Sequence, residues 1–236
     1  MKNLIAASTS TIYNGNYLEY LTEALTELFS ETDEILFIPY ARPGGISHDQ
    51  YTEKAAEAFK KLNKKVVGIH TFKDPIKALQ SATGIFTGGG NTFVLVSRLY
   101  KNQVMQPLRE AIFKGTPYLG TSAGSNICGV SIRTSNDMPI VYPPSFKALG
   151  ALPFNVNPHY LDPDPSSKHM GETRETRIKE FHTQNNIPVV GLREGSWLRV
   201  NGSSIILKGE HSARIFKKGK EPVEIEASTS LSQVTL

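Results

Sequence analysis

Gly120-Thr121-Ser122-Ala123-Gly124 sets a serine between small residues, in the pattern G-x-S-x-G. That pattern suits a serine carried on a sharp turn between a strand and a helix, where the hydroxyl stands clear of the backbone. The flanking residues agree: Pro117–Gly120 reads as a strand, and Ser125–Val130 can start a helix. Ser122 is therefore the candidate nucleophile. A backbone N–H from Ala123, just after the turn, would face a developing oxyanion.

A serine hydroxyl needs a base to become a useful nucleophile. The chain has six histidines: His48, His70, His159, His169, His182 and His211. His182 sits in a polar helical stretch and is expected to be exposed. His70 ends a strand, and His211 lies in a turn between C-terminal strands. His159 follows Asn157-Pro158 after a short apolar stretch, as in a rigid loop at a strand end, and is the leading candidate. His169 and His48 are its rivals. A third group must orient the imidazole and stabilise its charged form. Two acids qualify by position, Glu194 in Arg193-Glu194-Gly195 and Asp137 in Asn136-Asp137-Met138-Pro139.

Around these residues, strand and helix patterns alternate. Strands are expected at Leu4–Ser8, Glu34–Pro39, Val66–Ile69, Gly84–Thr87 and Pro117–Gly120. Helices are expected at Tyr17–Phe29, Asp49–Leu62, Asp74–Ser81, Asn91–Tyr100 and Val104–Lys114. This rhythm predicts an α/β fold with three layers, α/β/α, around a mostly parallel sheet. Sites in such sheets form at the carboxyl ends of the strands. That edge would carry both Gly120–Gly124 and a second glycine-rich loop, Gly88-Gly89-Gly90. The second loop lacks the lysine of a phosphate-binding P-loop. After Val130 the pattern changes to Asn-, Asp- and Pro-rich loops, then a helix at Gly171–Gln184 and a strand at Pro188–Leu192. Short strands at Trp197–Val200, Ser204–Lys208, Ala213–Phe216 and Val223–Glu226 follow, read as antiparallel additions to the same sheet. No linker divides the chain, so 1–236 is expected to be a single domain.

Composition bounds the partners. The chain has 236 residues, 39% hydrophobic and 20% charged, with a formal net charge of +4. That charge is too mild to indicate a nucleic-acid partner, and Lys217, Lys218 and Lys220 read as a solvated turn. No apolar run is long enough for a membrane span, and the N-terminal apolar run is too short for a secretory signal. Cys128 is the one cysteine and suits the core of a cytoplasmic protein. No H-E-x-x-H pattern is present, and neither metal nor cofactor is expected. The sequence leaves a homodimer open.

Taken together, the segments resemble peptidase E, the α-aspartyl dipeptidase family. The likeness runs through Gly88-Gly89-Gly90-Asn91-Thr92-Phe93, Gly120-Thr121-Ser122-Ala123-Gly124-Ser125-Asn126, Ile132 to Ile140 with Asn-Asp-Met-Pro inside it, Asn157-Pro158-His159, Gly171 to Glu175 and Glu194-Gly195. It implies a class I glutamine amidotransferase-like (flavodoxin-like) fold and cleavage of small peptides, dipeptides that begin with aspartate. Position by position it implies Ser122 as nucleophile, His159 as base and Glu194 as orienting carboxylate, with Asp137 also tied to activity. The Gly88–Gly90 loop and Ala123 would supply the oxyanion donors. An anionic substrate side chain calls for a cation, and Arg133, Arg174 and Arg177 lie in or near the matching segments. Thr121 departs from the tryptophan the family often has before its serine. The position two residues after His159, where amidotransferases keep their acid, is Leu161. A cyanophycinase-like serine peptidase and a non-catalytic binding protein on the same scaffold are the competing readings.

Overall fold

The computed structural model describes every residue except 165, 167, 169, 233, 235 and 236. His169, one rival for the base, lies outside the described residues. Five strands pair in parallel: β1 (Asn3–Ala7), β2 (Glu34–Ile38), β3 (Lys65–Gly68), β4 (Ile85–Thr87) and β5 (Tyr118–Thr121). Between them run α1 (Thr22–Leu28), α2 (His48–Lys60), α3 (Pro75–Ser81), α4 (Thr92–Lys101) and α5 (Met105–Lys114). Alternation along β1 shows why the sheet has two covered faces. Leu4 and Ala6 join one buried cluster with α3, α4 and α5, while Ile5 and Ala7 join another with α1 and α2. The local signals hold at the helix starts: the Asp74 and Asn91 side chains accept from Lys77 and Val94 N–H and cap α3 and α4.

The helix expected at Tyr17–Phe29 is split. Leu18 adopts a left-handed conformation (φ 61°), a 3-10 turn follows at Glu19–Leu21, and α1 then begins at Thr22. The strain of that turn, about 1–2 kcal/mol, is offset by burial of the Leu18 side chain, which is 3% exposed.

The C-terminal strands do not all join one sheet. β8 (Ser196–Asn201) and β9 (Ser204–Gly209) extend the first sheet antiparallel, giving the order β3-β2-β4-β5-β1-β8-β9. β10 (Ala213–Phe216) and β11 (Val223–Ile225) instead pair with β7 (Val189–Leu192) and a strand absent from the sequence reading, β6 (Asn155–Pro158). This second sheet has the order β11-β10-β7-β6. A short helix, α6 (Ala123–Asn126), follows β5, and α7 (Arg174–Gln184) packs beside the second sheet through Ile178, which clusters with Tyr160, Val189 and Phe216. α7 starts later than expected because the Thr173 side chain caps it from Thr176 N–H. Among the described residues no helix is long and apolar enough to cross a membrane.

An arginine ties the sheet edge together. Arg98 Nη1 donates to the carbonyls of Tyr40 and Arg42 (3.0 and 2.8 Å) and lies 3.1 Å from His48 Nε2. Arginine only donates, so His48 Nε2 must accept and the ring must be neutral. Burial, then the charges of Arg98 and His70, hold its pKa below the usual histidine range, with Asp49 opposing. The unfolded chain takes up this proton at about pH 6.5, and the folded chain resists it. The stabilisation is thus present above about pH 6.5 and lost as pH falls through the lower folded pKa. Thermal unfolding followed by circular dichroism at pH 7.5 and 5.5 tests this. The fall in Tm on acidification should be smaller in His48→Gln than in wild type, and equal falls would refute the assignment.

Candidate active site

Ser122 sits where β5 meets α6, with φ 53° and ψ −111°. A non-glycine residue rarely adopts this conformation, at a cost of about 1–3 kcal/mol. Close packing holds the turn. A methyl group on Gly120 would lie 2.3 Å from the Gly124 carbonyl, and one on Gly124 would lie 2.2 Å from the Thr87 carbonyl. Ser125 adds a hydroxyl buried beneath the turn, within 2.6 Å of the Ala7 carbonyl and 2.7 Å of the Gly120 carbonyl. Both glycines and Ser125 thus shape the elbow from which the Ser122 side chain projects.

His159 follows β6 and also has a positive φ, 54°. Its Nε2 lies 2.9 Å from Ser122 Oγ, and its Nδ1 lies 2.5 Å from Glu194 Oε1. The carboxylate fixes the tautomer: Nδ1 carries the proton, and Nε2 is left to accept from the serine hydroxyl. Glu194 follows β7, the partner of β6, so parallel pairing sets the histidine beside the acid. Ser8, just past β1, joins the two sheets behind them. Its hydroxyl accepts from His159 N–H (2.9 Å) and donates to the Leu192 carbonyl (2.7 Å).

Asp137 occupies a different position. Its Oδ2 accepts from Thr92 N–H (2.7 Å), the first residue of α4, and from the Ser135 hydroxyl (3.1 Å). It thus helps cap α4, and its loop is stapled to β6: Asn136 Nδ2 donates to the Pro158 carbonyl (2.7 Å), and Asn157 Nδ2 donates to the Thr134 carbonyl (2.7 Å). The choice between Glu194 and Asp137 as partner of the imidazole falls to Glu194. Asp137 instead lines the recess beside Ser122 and His159.

The glycine-rich loop approaches from α4's side. A methyl on Gly89 would lie 3.0 Å from Ser122 Cβ, so that loop borders the serine. Not all its N–H groups are free. Gly88 N–H donates to the Ile38 carbonyl (3.3 Å), which removes Gly88 from the expected oxyanion donors. Gly89, Gly90 and Ala123 remain.

The expected arginines are spread out. Arg133 is exposed and stacks over Phe181, its Cζ 5.5 Å from the ring centroid. Arg177 Nε lies 3.8 Å from Glu172. Arg174, partly buried at the start of α7, is the one whose charge couples to Asp137; burial and Arg177 lower its pKa while Asp137 opposes. Of the other histidines, His182 is buried at 6% exposure rather than exposed, and its Nε2 lies 3.0 Å from the Ile187 carbonyl. The turn after α7 folds back over it. His70 pairs with Asp49 (2.8 Å), and His211 lies beside Gly195. Cys128 is fully buried, and burial pushes its thiol pKa up to about 12, so it stays protonated. The sequence reading missed Thr92, Asn126, Ser135 and Asn136, which also line the recess. For Asn126 a signal existed: it stands four residues after Ser122, one helical turn on.

Comparison with known proteins identifies relatives of the chain. A family model described as peptidase family S51 matches residues 4–208. Peptidase E of Streptomyces coelicolor is 46% identical over 98% of this chain and 94% of its own length. A probable alpha-aspartyl dipeptidase of Drosophila melanogaster is 46% identical over 92% of this chain and 90% of its own. In fold, the crystal structure of a peptidase from an acI-B1 Actinobacterium superposes with a TM-score of 0.73 at 17% identity, covering 98% of this chain and 96% of that one.

The joint at Ser8 is open to test. Ser8→Ala leaves a buried N–H and a carbonyl without their partner, at a cost of about 1–3 kcal/mol each at most. A clear drop in denaturant midpoint with an unchanged m-value is expected in chemical unfolding, and an unchanged midpoint would show that the bridge carries no load.

Proposed function

The chain belongs to peptidase family S51, and from that premise we propose that it is a serine-type dipeptidase acting on dipeptides with N-terminal aspartate through an acyl-enzyme on Ser122. The observation that carries the proposal is the unbroken relay of Ser122 Oγ, His159 and Glu194, with contacts of 2.9 and 2.5 Å. Within it, Ser122 Oγ attacks the scissile carbonyl as His159 Nε2 takes its proton. Glu194 stabilises the imidazolium that forms. N–H groups of Gly89 and Ala123 are assigned to the oxyanion, each worth about 2.7–4 kcal/mol of barrier. His159 then returns its proton to the leaving amine. The acyl-enzyme is broken by water activated in the same way.

The aspartate side chain requires a cation with directional donors. Arg174 is the arginine assigned to it, since Arg133 is stacked on Phe181 and Arg177 faces Glu172. Arg174 stands on the wall of a cleft of about 420 Å³ that Asp162, Asp164, Glu172 and Arg177 also line. The relatives' names support the substrate class. The single, buried cysteine is in keeping with a cytoplasmic location.

Hydrolysis of an Asp-X, Glu-X and Asn-X dipeptide panel tests the reading, alongside fluorophosphonate labelling. Ser122→Ala should lose both labelling and turnover. Glu194→Gln should retain the fold and lower kcat by a factor on the order of 10³–10⁴. Wild-type protein that neither labels nor cleaves Asp-X would overturn the assignment, as would Glu194→Gln with undiminished kcat. Arg174→Ala should raise KM for Asp-X far more than for Asn-X, and equal effects would remove Arg174 from the substrate contact.

A further inference from the structure

The floor of the recess beside Ser122 contains a group that the relay leaves unused. Asn126 is 2% exposed, and its side-chain Oδ1 is buried with no hydrogen-bond partner among the described residues. Burying an amide oxygen without a partner is costly, so such an atom usually awaits a donor. Asn126 lines the same recess as Ser122, His159, Thr92, Ser135 and Asp137. Its backbone is fixed there, since Asn126 N–H donates to the Ser122 carbonyl (2.9 Å).

The recess constrains what that donor is. It offers about 20 Å³, space for roughly one water-sized group. An ammonium group has that size, whereas a carboxylate with its two oxygens is larger. Among the described residues, the one formal charge on the recess lining is negative, that of Asp137. Oδ2 of Asp137 is already engaged by Thr92 and Ser135, which hold the carboxylate in place. A small recess with a fixed anion and an unpaired amide oxygen selects a compact cation that carries several N–H donors.

We infer that Asn126, together with Asp137, binds the free α-ammonium of the substrate's N-terminal residue. The inference rests on the peptidase reading and deepens it. The ammonium nitrogen is two bonds from the scissile carbonyl carbon, so holding it beside Ser122 brings that carbon to the hydroxyl. Recognition of the chain end then restricts cleavage to the first peptide bond. A substrate with a blocked amine lacks the charge and exceeds the space.

The test compares Asp-Leu with succinyl-Leu, which is the same molecule without the α-amine. The readouts are kcat and KM for Asp-Leu, the inhibition constant of succinyl-Leu, and the fluorophosphonate labelling rate at Ser122. Asn126→Ala should raise KM for Asp-Leu about 10–100-fold, the range for a hydrogen bond to a charged group. The succinyl-Leu inhibition constant and the labelling rate should stay near wild type. Asn126→Asp, which keeps an oxygen at the same place, should preserve the preference for Asp-Leu. Equal weakening of both ligands in Asn126→Ala, or no weakening of either, would overturn the inference while leaving the peptidase reading intact. Loss of the preference in Asn126→Asp would overturn it too, by showing that the amide N–H is the end that matters. Wild-type protein that fails to label would overturn both.

Discussion

The contact between Ser122 Oγ and His159 Nε2 crosses from one sheet to the other. Ser122 follows a strand of the seven-stranded sheet, and His159 follows a strand of the four-stranded one. A hydrogen bond of 2.9 Å tolerates only a few tenths of an ångström of relative movement. The sheets must therefore be joined close to the contact. Ser8 makes that joint with two hydrogen bonds from one buried hydroxyl, one to each side of the histidine–acid pair. Asn136 and Asn157 make a second joint from the opposite side, between the 134–138 loop and β6. Both Ser122 and His159 carry positive φ values, 53° and 54°. Such strain persists only where surrounding contacts over-determine the backbone, and these joints supply them.

Charge is partitioned around the relay as carefully as position. Glu194 is half exposed, and its neighbour in sequence is Arg193. An arginine that turned onto Glu194 would compete with the imidazole. Arg193 is instead held by a two-pronged pair with Asp162 (2.8 Å each) and by Glu224 and Ser212. Those bonds push its pKa still further up and lower those of Asp162 and Glu224. They also pin β11 to the loop after His159. The pair thus stabilises the second sheet while leaving Glu194 to the histidine.

The elbow at Ser122 was legible because its cause is local: two glycines and small side chains within five residues dictate the turn. The parallel sheet was legible for a similar reason, since the apolar runs of β1, β2, β4 and β5 are buried on both faces. β6 was not. Two of its four residues are asparagines, Asn155 and Asn157, buried at 0% and 2%. Their polarity is satisfied by loop atoms distant in sequence: Asn155 Oδ1 accepts from Ser131 N–H, and Asn157 pairs with Thr134 and Asn136. A strand whose burial depends on such partners shows no hydrophobic pattern. His182 was misread on the same ground, because the polar stretch around it conceals a turn that covers it. The division of β8 to β11 between two sheets likewise depends on pairing that no local signal encodes.

The two acids near the relay illustrate how position decides role between groups of the same chemistry. A carboxylate that orients a histidine must spare a lone pair for Nδ1–H and hold its charge against the forming imidazolium. Glu194 meets this requirement through one short contact and a half-exposed environment, where the charge stays solvated. Asp137 spends one oxygen on the first N–H of α4 and a serine hydroxyl, so its negative charge also stabilises the positive end of that helix. Moving it to His159 would break those bonds and pull the 134–138 loop from β6. Its fixed charge is instead an electrostatic wall of the recess. Giving one carboxylate to the imidazole and tethering the other to a helix end keeps the two from competing for the same histidine.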